Sequence, residues 1–288
     1  MMKRDLVEDM ILFLVNQGYI LKNMDSGFDV LARKKDKTLL IKVVKDANSL
    51  NPEMVYQMKN IASYINGVPM ILAESAGNML EDNVVYSRNG VVTLNLETLK
   101  GCVKANLPYV KSSKAGLIVS IDGGELKKLR EESGYSLNTL AKKVGVTSRM
   151  VARYENENAD VSFINALKIY DLFGDSVFNC VDVFSRPTID RIDASSDISL
   201  KYAQLGFNVL ETIRSPFNIV ARKEKEIILT SVGDKVSKHV NSLSKLLDAD
   251  NLLVFNHRKP KVDMPVIAKD EFLEFEKSNE ILKFLKEF

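Results

Sequence analysis

The 288-residue chain has no tryptophan, two cysteines, two histidines and seven prolines. Cys102 and Cys180 stand far apart, neither with a neighbour at metal-ligand spacing, which excludes a disulfide scaffold and fits a reducing compartment. His239 and His257 are too few for a His-rich metal centre. No apolar run is long enough to cross a bilayer. The opening stretch, MMKRDLVEDMILFLVNQGY, is interrupted by Asp5, Glu8 and Asp9 and lacks a small-residue cleavage site, so it is not a signal peptide. Its apolar residues Leu6, Met10, Phe13 and Leu14 fall instead at helical spacing. Charge of one sign is also missing. Forty Lys and Arg against 38 Asp and Glu give +2, so any affinity for nucleic acid must come from local charge. The expectation is a cytoplasmic protein without membrane association, metal or cofactor.

What is present is globular. Hydrophobic residues make up 45% and charged residues 27%, and the length fits about two domains. The pattern divides as 1–107, a mixed α/β domain; 108–123, a linker; 124–180, purely helical; 181–196, a second linker; and 197–288, a second α/β domain. The two α/β segments look alike. Phe28-Asp29-Val30-Leu31-Ala32-Arg33-Lys34 matches Phe217-Asn218-Ile219-Val220-Ala221-Arg222-Lys223 position by position in character. Each tract follows a helix, a glycine and a strand, and each precedes a strand, a helix and a buried strand. This reads as an internal duplication with a helical insert.

In the helical segment, Leu126 and Leu129 mark the inner face of a first helix that stops at Ser133-Gly134. Ser136 is a natural N-cap for a second helix, Leu137 to Val144, whose inner side is Leu140, Ala141 and Val144. Gly145 permits the left-handed turn that a tight interhelical corner needs. Thr147 then caps a third helix, Ser148 to Asn156, with Val151 and Tyr154 inward. A fourth helix follows, expected to pack through Phe163, Leu167, Tyr170 and Leu172. Two short helices joined by a glycine turn make a helix-turn-helix, and a projecting third helix fits a major groove about 12 Å wide. Ser148, Arg149, Ala152 and Arg153 lie on its outward face. Between Ser136 and Tyr154 the charges are Lys142, Lys143, Arg149 and Arg153, with no acid.

Leu129-Arg130, Gly134, Ser136, Leu140-Ala141, Gly145-Val146-Thr147, Arg153 and Tyr154-Glu155-Asn156 resemble the lambda-repressor-like, or Xre-type, helix-turn-helix domains. The resemblance implies that Ser148, Arg149 and Arg153 face DNA and that Ser136 and Thr147 sit at helix starts that touch phosphate. Two positions depart from the family pattern: Leu137 stands where Gln is frequent, and Glu157 where Gly is frequent. Over nearly the full length, and most tellingly in PYVKSSKAGLIVSIDGGELKKLREESGYSLNTLA, the chain resembles a family of archaeal HTH-type transcriptional regulators with one such domain in mid-chain. That implies regulation of transcription.

The order helix, three strands, helix, strand in 1–107 resembles the restriction-endonuclease-like fold. Active members hold a divalent metal with a strand Asp and an acid-x-Lys on the next strand. Asp29 and Lys42 match two of these positions, but Leu40 stands where the second acid belongs. Glu8 could supply a carboxylate from the first helix. In the second segment Asn218 and Ser231 replace Asp29 and Lys42. Asp29 is therefore expected to be a solvent-side or turn-stabilising carboxylate, and Lys42 an exposed strand residue. Arg33, Lys34, Lys35, Lys37, Lys42 and Lys45 form a basic run, for which a solvated face is the default reading. Both cysteines are expected to pack as small apolar residues.

The fold class expected is thus α+β multidomain: an all-α helix-turn-helix between two related restriction-endonuclease-like α/β domains. The function expected is a sequence-specific DNA-binding transcriptional regulator and not an enzyme. Its DNA-facing residues would be Ser136, Lys142, Lys143, Thr147, Ser148, Arg149 and Arg153. One short recognition helix covers few base pairs, so a homodimer on a pseudo-palindromic double-stranded site is expected, with an unidentified effector as a further partner. The competing readings are a metal-dependent nuclease or junction-processing enzyme using the first domain, and a protein-interaction adaptor.

Overall fold

The computed structural model describes every residue except 1–2, 25–26, 158, 190–192, 214, 235–236, 238 and 288. Along the chain run α1 (Lys3–Asn16), β1 (Ile20–Asn23), β2 (Val30–Lys34), β3 (Lys37–Asp46), α2 (Pro52–Tyr64), β4 (Gly67–Ala76), β5 (Asn78–Met79), β6 (Val84–Arg88), β7 (Val91–Leu94) and α3 (Leu96–Val103). Next come β8 (Val110–Ser113), β9 (Gly116–Ile121), α4 (Gly123–Glu132), α5 (Leu137–Val144), α6 (Ser148–Glu157), β10 (Asp160–Ser162), α7 (Phe163–Phe173) and β11 (Phe178–Asn179). The remainder is α8 (Asp197–Gln204), β12 (Asn208–Glu211), β13 (Ile219–Lys223), β14 (Glu226–Val232), α9 (Val240–Leu247), β15 (Asp250–Phe255), β16 (Val266–Ala268), α10 (Lys269–Glu274) and α11 (Ser278–Lys286). These form two compact units: Met1–Val44, Ser49–Ile71 and Ser185–Phe288 make the first, Lys45–Asn48 and Leu72–Phe184 the second.

The first unit contains two lobes built to one plan. Strand order is β1-β2-β3-β4 in one and β12-β13-β14-β15-β16 in the other. The β2–β3 hairpin pairs Val30 with Ile41 and Lys34 with Lys37; the β13–β14 hairpin pairs Ile219 with Thr230 and Lys223 with Glu226. Both turns hold a non-glycine residue at positive φ, Lys35 at 52° and Glu224 at 54°. The strand residues Val30, Leu31 and Ala32, like Ile219, Val220 and Ala221, are all buried, as apolar runs covered on both faces must be.

Most of the basic run expected to be a solvated face is exposed, at Lys34, Lys35, Lys37 and Lys45, but two of its members also bond the backbone. Lys34 Nζ donates to Gln17 O at 2.7 Å, and Lys223 Nζ does the same to Leu205 O at 3.3 Å. Arg33 Nη1 donates to Leu246 O at the end of α9 (2.7 Å), and Arg222 Nη1 donates to Ser63 O near the end of α2 (2.9 Å). Each lobe's arginine thus satisfies a helix-end carbonyl of the other, the reciprocal pattern of an approximate two-fold axis. Tyr64 reinforces the joint by donating its buried hydroxyl to Val209 O at 2.8 Å.

In the second unit the strand order is β4-β7-β6-β8-β9-β10, with β11 also on β9. The stretch 108–123, expected as a linker carrying one short strand at 116–121, forms a hairpin, β8–β9, whose second strand has those bounds. It is tied on one side to β6 in parallel, through Val84 and Val110, and on the other to β10 and β11. That pairing also draws residues 72–107, expected with the first domain, into the second unit. Val119 and Ile121 of β9 share one core with Leu126, Leu140, Val144, Val151, Tyr154 and Ile169 of the helices. The helices therefore rest on a sheet rather than standing alone.

Candidate nucleic-acid interface

Local signals place the two helix starts. Ser136 Oγ accepts from Thr139 N at 3.0 Å, capping α5, and Thr147 Oγ1 accepts from Met150 N at 3.2 Å, capping α6. Gly145, at φ 83°, ends α5 in the left-handed conformation, with Gly145 N and Val146 N both donating to Ala141 O. The corner brings the first turns of α5 and α6 together, and Ser148 Oγ donates to Asn138 Oδ1 at 3.4 Å. Asn138 carries no capping or apolar signal of its own, so the sequence reading passes over it.

The angle of α6 is set from below. Arg130 of α4 donates from Nε to Glu155 Oε1 at 2.6 Å and from Nη2 to Glu155 Oε2 at 3.0 Å, while Nη1 reaches Tyr135 O at 2.9 Å. The two side chains are 9% and 4% exposed, so this bidentate pair is a buried clamp between α4 and α6. The hydrogen bond to Glu155 raises the pKa of the guanidinium despite desolvation, so the charge is fixed at every accessible pH. Beside it, a Cβ at Gly123 would meet Glu155 O at 2.4 Å and Tyr154 O at 2.5 Å, so only glycine lets α4 start this close to α6.

The outward residues divide by partner. Arg149 is exposed and pairs with no carboxylate among the described residues. Arg153 is exposed too, but its Nε donates to Glu157 Oε2 at 2.7 Å, with 57% and 60% exposure. Lys142 and Lys143 are exposed on the last turn of α5, where a cation also suits the helix C-terminus. Lys143 Nζ sits 5.1 Å from the centre of the Tyr135 ring. Next to Arg153 a groove is lined by Lys111, Ser120, Met150, Glu157 and Asp160, in which Lys111 Nζ pairs with Asp160 at 3.0 Å.

Two expectations need correction here. Leu167 and Tyr170 do not pack inward: they are 49% and 53% exposed, and α7 buries Ala166 and Ile169 instead. The phase of α7 is set by the β10 pairing just before it, which period alone does not reveal. Cys180 is exposed rather than packed, whereas Cys102 is buried, which raises its thiol pKa to about 11.

Asp29 accepts from Val43 N at 2.7 Å and faces Lys42 Nζ at 3.4 Å. Lys42 is 13% exposed at its side chain, so it is a paired, mostly buried residue and not the exposed one expected. Leu40 is fully buried in the position of the second acid. Glu8 is on the surface in an ion pair with Arg4. Among the described residues no three of His, Cys, Asp or Glu converge on one point. In the second lobe Asn218 Oδ1 accepts from Val232 N at 2.8 Å, the same bond without the charge. The bond that recurs is the one to the strand amide, and the donor set does not fit a divalent metal.

Comparison with known proteins agrees with both halves of this description. Residues 3–108 match the PD-(D/E)XK superfamily domain, and residues 126–174 match a helix-turn-helix family. Proteins carrying the name "Putative HTH-type transcriptional regulatory protein" are similar over nearly their whole length. One from Methanosarcina acetivorans is 31% identical, covering 100% of this chain and 98% of its own. One from Methanobrevibacter smithii is 30% identical over 95% and 94%. One from Pyrococcus furiosus is 28% identical over 90% and 89%. No solved structure gives a significant match. Among the described residues no helix is long and apolar enough to cross a membrane. With a helix-turn-helix on a sheet, a PD-(D/E)XK domain before it and relatives aligned end to end, the chain belongs to the family of archaeal HTH-type transcriptional regulatory proteins.

Proposed function

We propose that this chain is a sequence-specific regulator of transcription that binds a pseudo-palindromic site in double-stranded DNA as a homodimer. The observation that carries the reading is the acid-free face formed by the first turns of α5 and α6, on which Arg149 stands exposed with no carboxylate partner among the described residues. Ser136, Thr147 and Ser148 supply hydroxyls at helix starts, where phosphate binds well. Lys142 and Lys143 add positive charge on α5. Arg149 and Arg153 reach base edges, where a guanidinium fork meets the O6 and N7 of guanine. Two-fold symmetry supplies the second recognition helix, because one such helix spans too few base pairs for useful affinity. Arg149→Ala tests the reading: specific binding is expected to fall more than binding to random DNA, and equal losses would reject the readout role.

The PD-(D/E)XK match favours one second reading, metal-dependent cleavage of DNA. The expected result is no cleavage of linear or branched duplexes with Mg²⁺ or Mn²⁺. Cutting that disappears in Asp29→Ala would establish the nuclease.

A further inference from the structure

The recognition helix carries two arginine–glutamate pairs of opposite character. Arg130–Glu155 is buried and joins two helices. Arg153–Glu157 lies within α6, one turn apart, with both side chains more than half exposed. An exposed i,i+4 pair adds little to stability. Its geometry is nevertheless specific. Glu157 takes the Nε of Arg153 and leaves Nη1 and Nη2 with no hydrogen bond among the described residues. The other acid beside this groove, Asp160, is already engaged by Lys111 at 3.0 Å and Ser120 Oγ at 2.6 Å, so Glu157 is the carboxylate that faces Arg153.

We propose that Glu157 is a positioning residue that makes Arg153 a reader of guanine rather than a phosphate anchor. This rests on the DNA-binding reading above. The carboxylate does two things at once. It fixes the guanidinium by its Nε side, so that the two terminal nitrogens present a parallel pair of donors to guanine O6 and N7. It also cancels the charge of Arg153 at longer range, so that a phosphate, which binds mainly by charge, gains little from this arginine. A neutral base edge with two acceptors loses much less from the nearby carboxylate. Arg149, with no such partner, keeps its full charge while it reads its own base. The two arginines on one helix thereby read bases with different net charge around them. Glu157, one turn beyond Arg153, is the residue that creates this difference.

The test uses the full chain and four proteins: wild type, Glu157→Ala, Glu157→Gln and Arg153→Ala. Each selects duplexes from a randomised library, and each is titrated with salt on a random-sequence duplex. For Glu157→Ala the preference for G·C at one position is expected to fall roughly tenfold, the size of one bidentate contact. Its binding to random DNA is expected to tighten, with the slope of log affinity on log salt steeper by about one. Glu157→Gln keeps an acceptor for Nε, so it is expected to show the steeper slope but to retain part of the preference. Arg153→Ala must lose the preference at the same position. A merely structural Glu157 would lower specific and random binding together, and that result would overturn the proposal. So would an unchanged preference, or a loss at a position that Arg153→Ala leaves intact. A wild-type chain with no salt-dependent affinity for any duplex would instead defeat the DNA-binding reading itself.

Discussion

Removing the carboxylate of Glu155 probes what holds α6. In Glu155→Ala the Arg130 cation stays in place, 9% exposed, with two of its four hydrogen bonds gone. Tyr135 O at 2.9 Å and Glu131 at 3.2 Å remain, and Glu131 is 57% exposed, so it compensates weakly. Breaking a buried pair from one side costs about 3–5 kcal/mol, and the surviving contacts place this case near the lower end, at about 3 kcal/mol. The chain has two compact units, so a global melting curve would mix them. Amide hydrogen exchange on α6 reads the loss directly. About 3 kcal/mol corresponds to exchange roughly 150-fold faster for the protected amides of α6. The double replacement Arg130→Met with Glu155→Leu removes both charges and fills similar volume, and is expected to restore protection to within about 1 kcal/mol. Exchange in Glu155→Ala changed by less than threefold would refute the clamp. A double variant as labile as Glu155→Ala would show that packing, not the uncompensated charge, was responsible.

Gly123→Ala would drive a methyl into the carbonyl oxygens of Tyr154 and Glu155, and is expected to destabilise the same helices by about 1–3 kcal/mol, read by the same exchange. Asp29→Asn keeps the bond to the Val43 amide, as Asn218 keeps its bond to Val232, so protection of the β3 amides from exchange is expected to change by less than about 1 kcal/mol; a large loss would mean that the Lys42 pairing, not the amide bond, is what matters. Glu211 gives a pH signature. Burial pushes its carboxyl pKa up, but hydrogen bonds from Ser195, Ser199 and Ser196 outweigh this and hold it at about 2. A depressed carboxyl pKa stabilises the fold above its unfolded value, near 4.3, and loses that contribution as pH falls towards 2. Amides of α8 should therefore be better protected from exchange in wild type than in Glu211→Gln at pH 6, with the two converging near pH 2; a gap that is constant with pH would refute the charge argument.

The helix-turn-helix was legible because its signals are local. Caps at Ser136 and Thr147, the glycine corner at Gly145 and the inward set Leu140, Val144, Val151 and Tyr154 all follow from residues within a few turns of one another. The repeat of Phe28–Lys34 at Phe217–Lys223 was legible for the same reason, as a hairpin's register travels with its own sequence. The fate of each charged side chain was not. Most of the Arg and Lys run is solvated, but Arg33, like Arg222, meets a helix-end carbonyl of the other lobe. Arg130 and Glu155 are ordinary surface residues by type, and become a clamp only where α4 crosses α6.

Sequence by itself determined which segments are helix or strand, which face of most helices is apolar, and that an acid-free basic patch sits at a helix corner. Tertiary structure alone decided that the strand at 116–121 pairs on both sides within a sheet, that Leu167 and Tyr170 point outward, and that Asp29 holds a strand amide. The physical reason is range. Period, capping and turn chemistry act between neighbours in the chain. Burial and pairing of a charge depend on which distant backbone comes to lie against it.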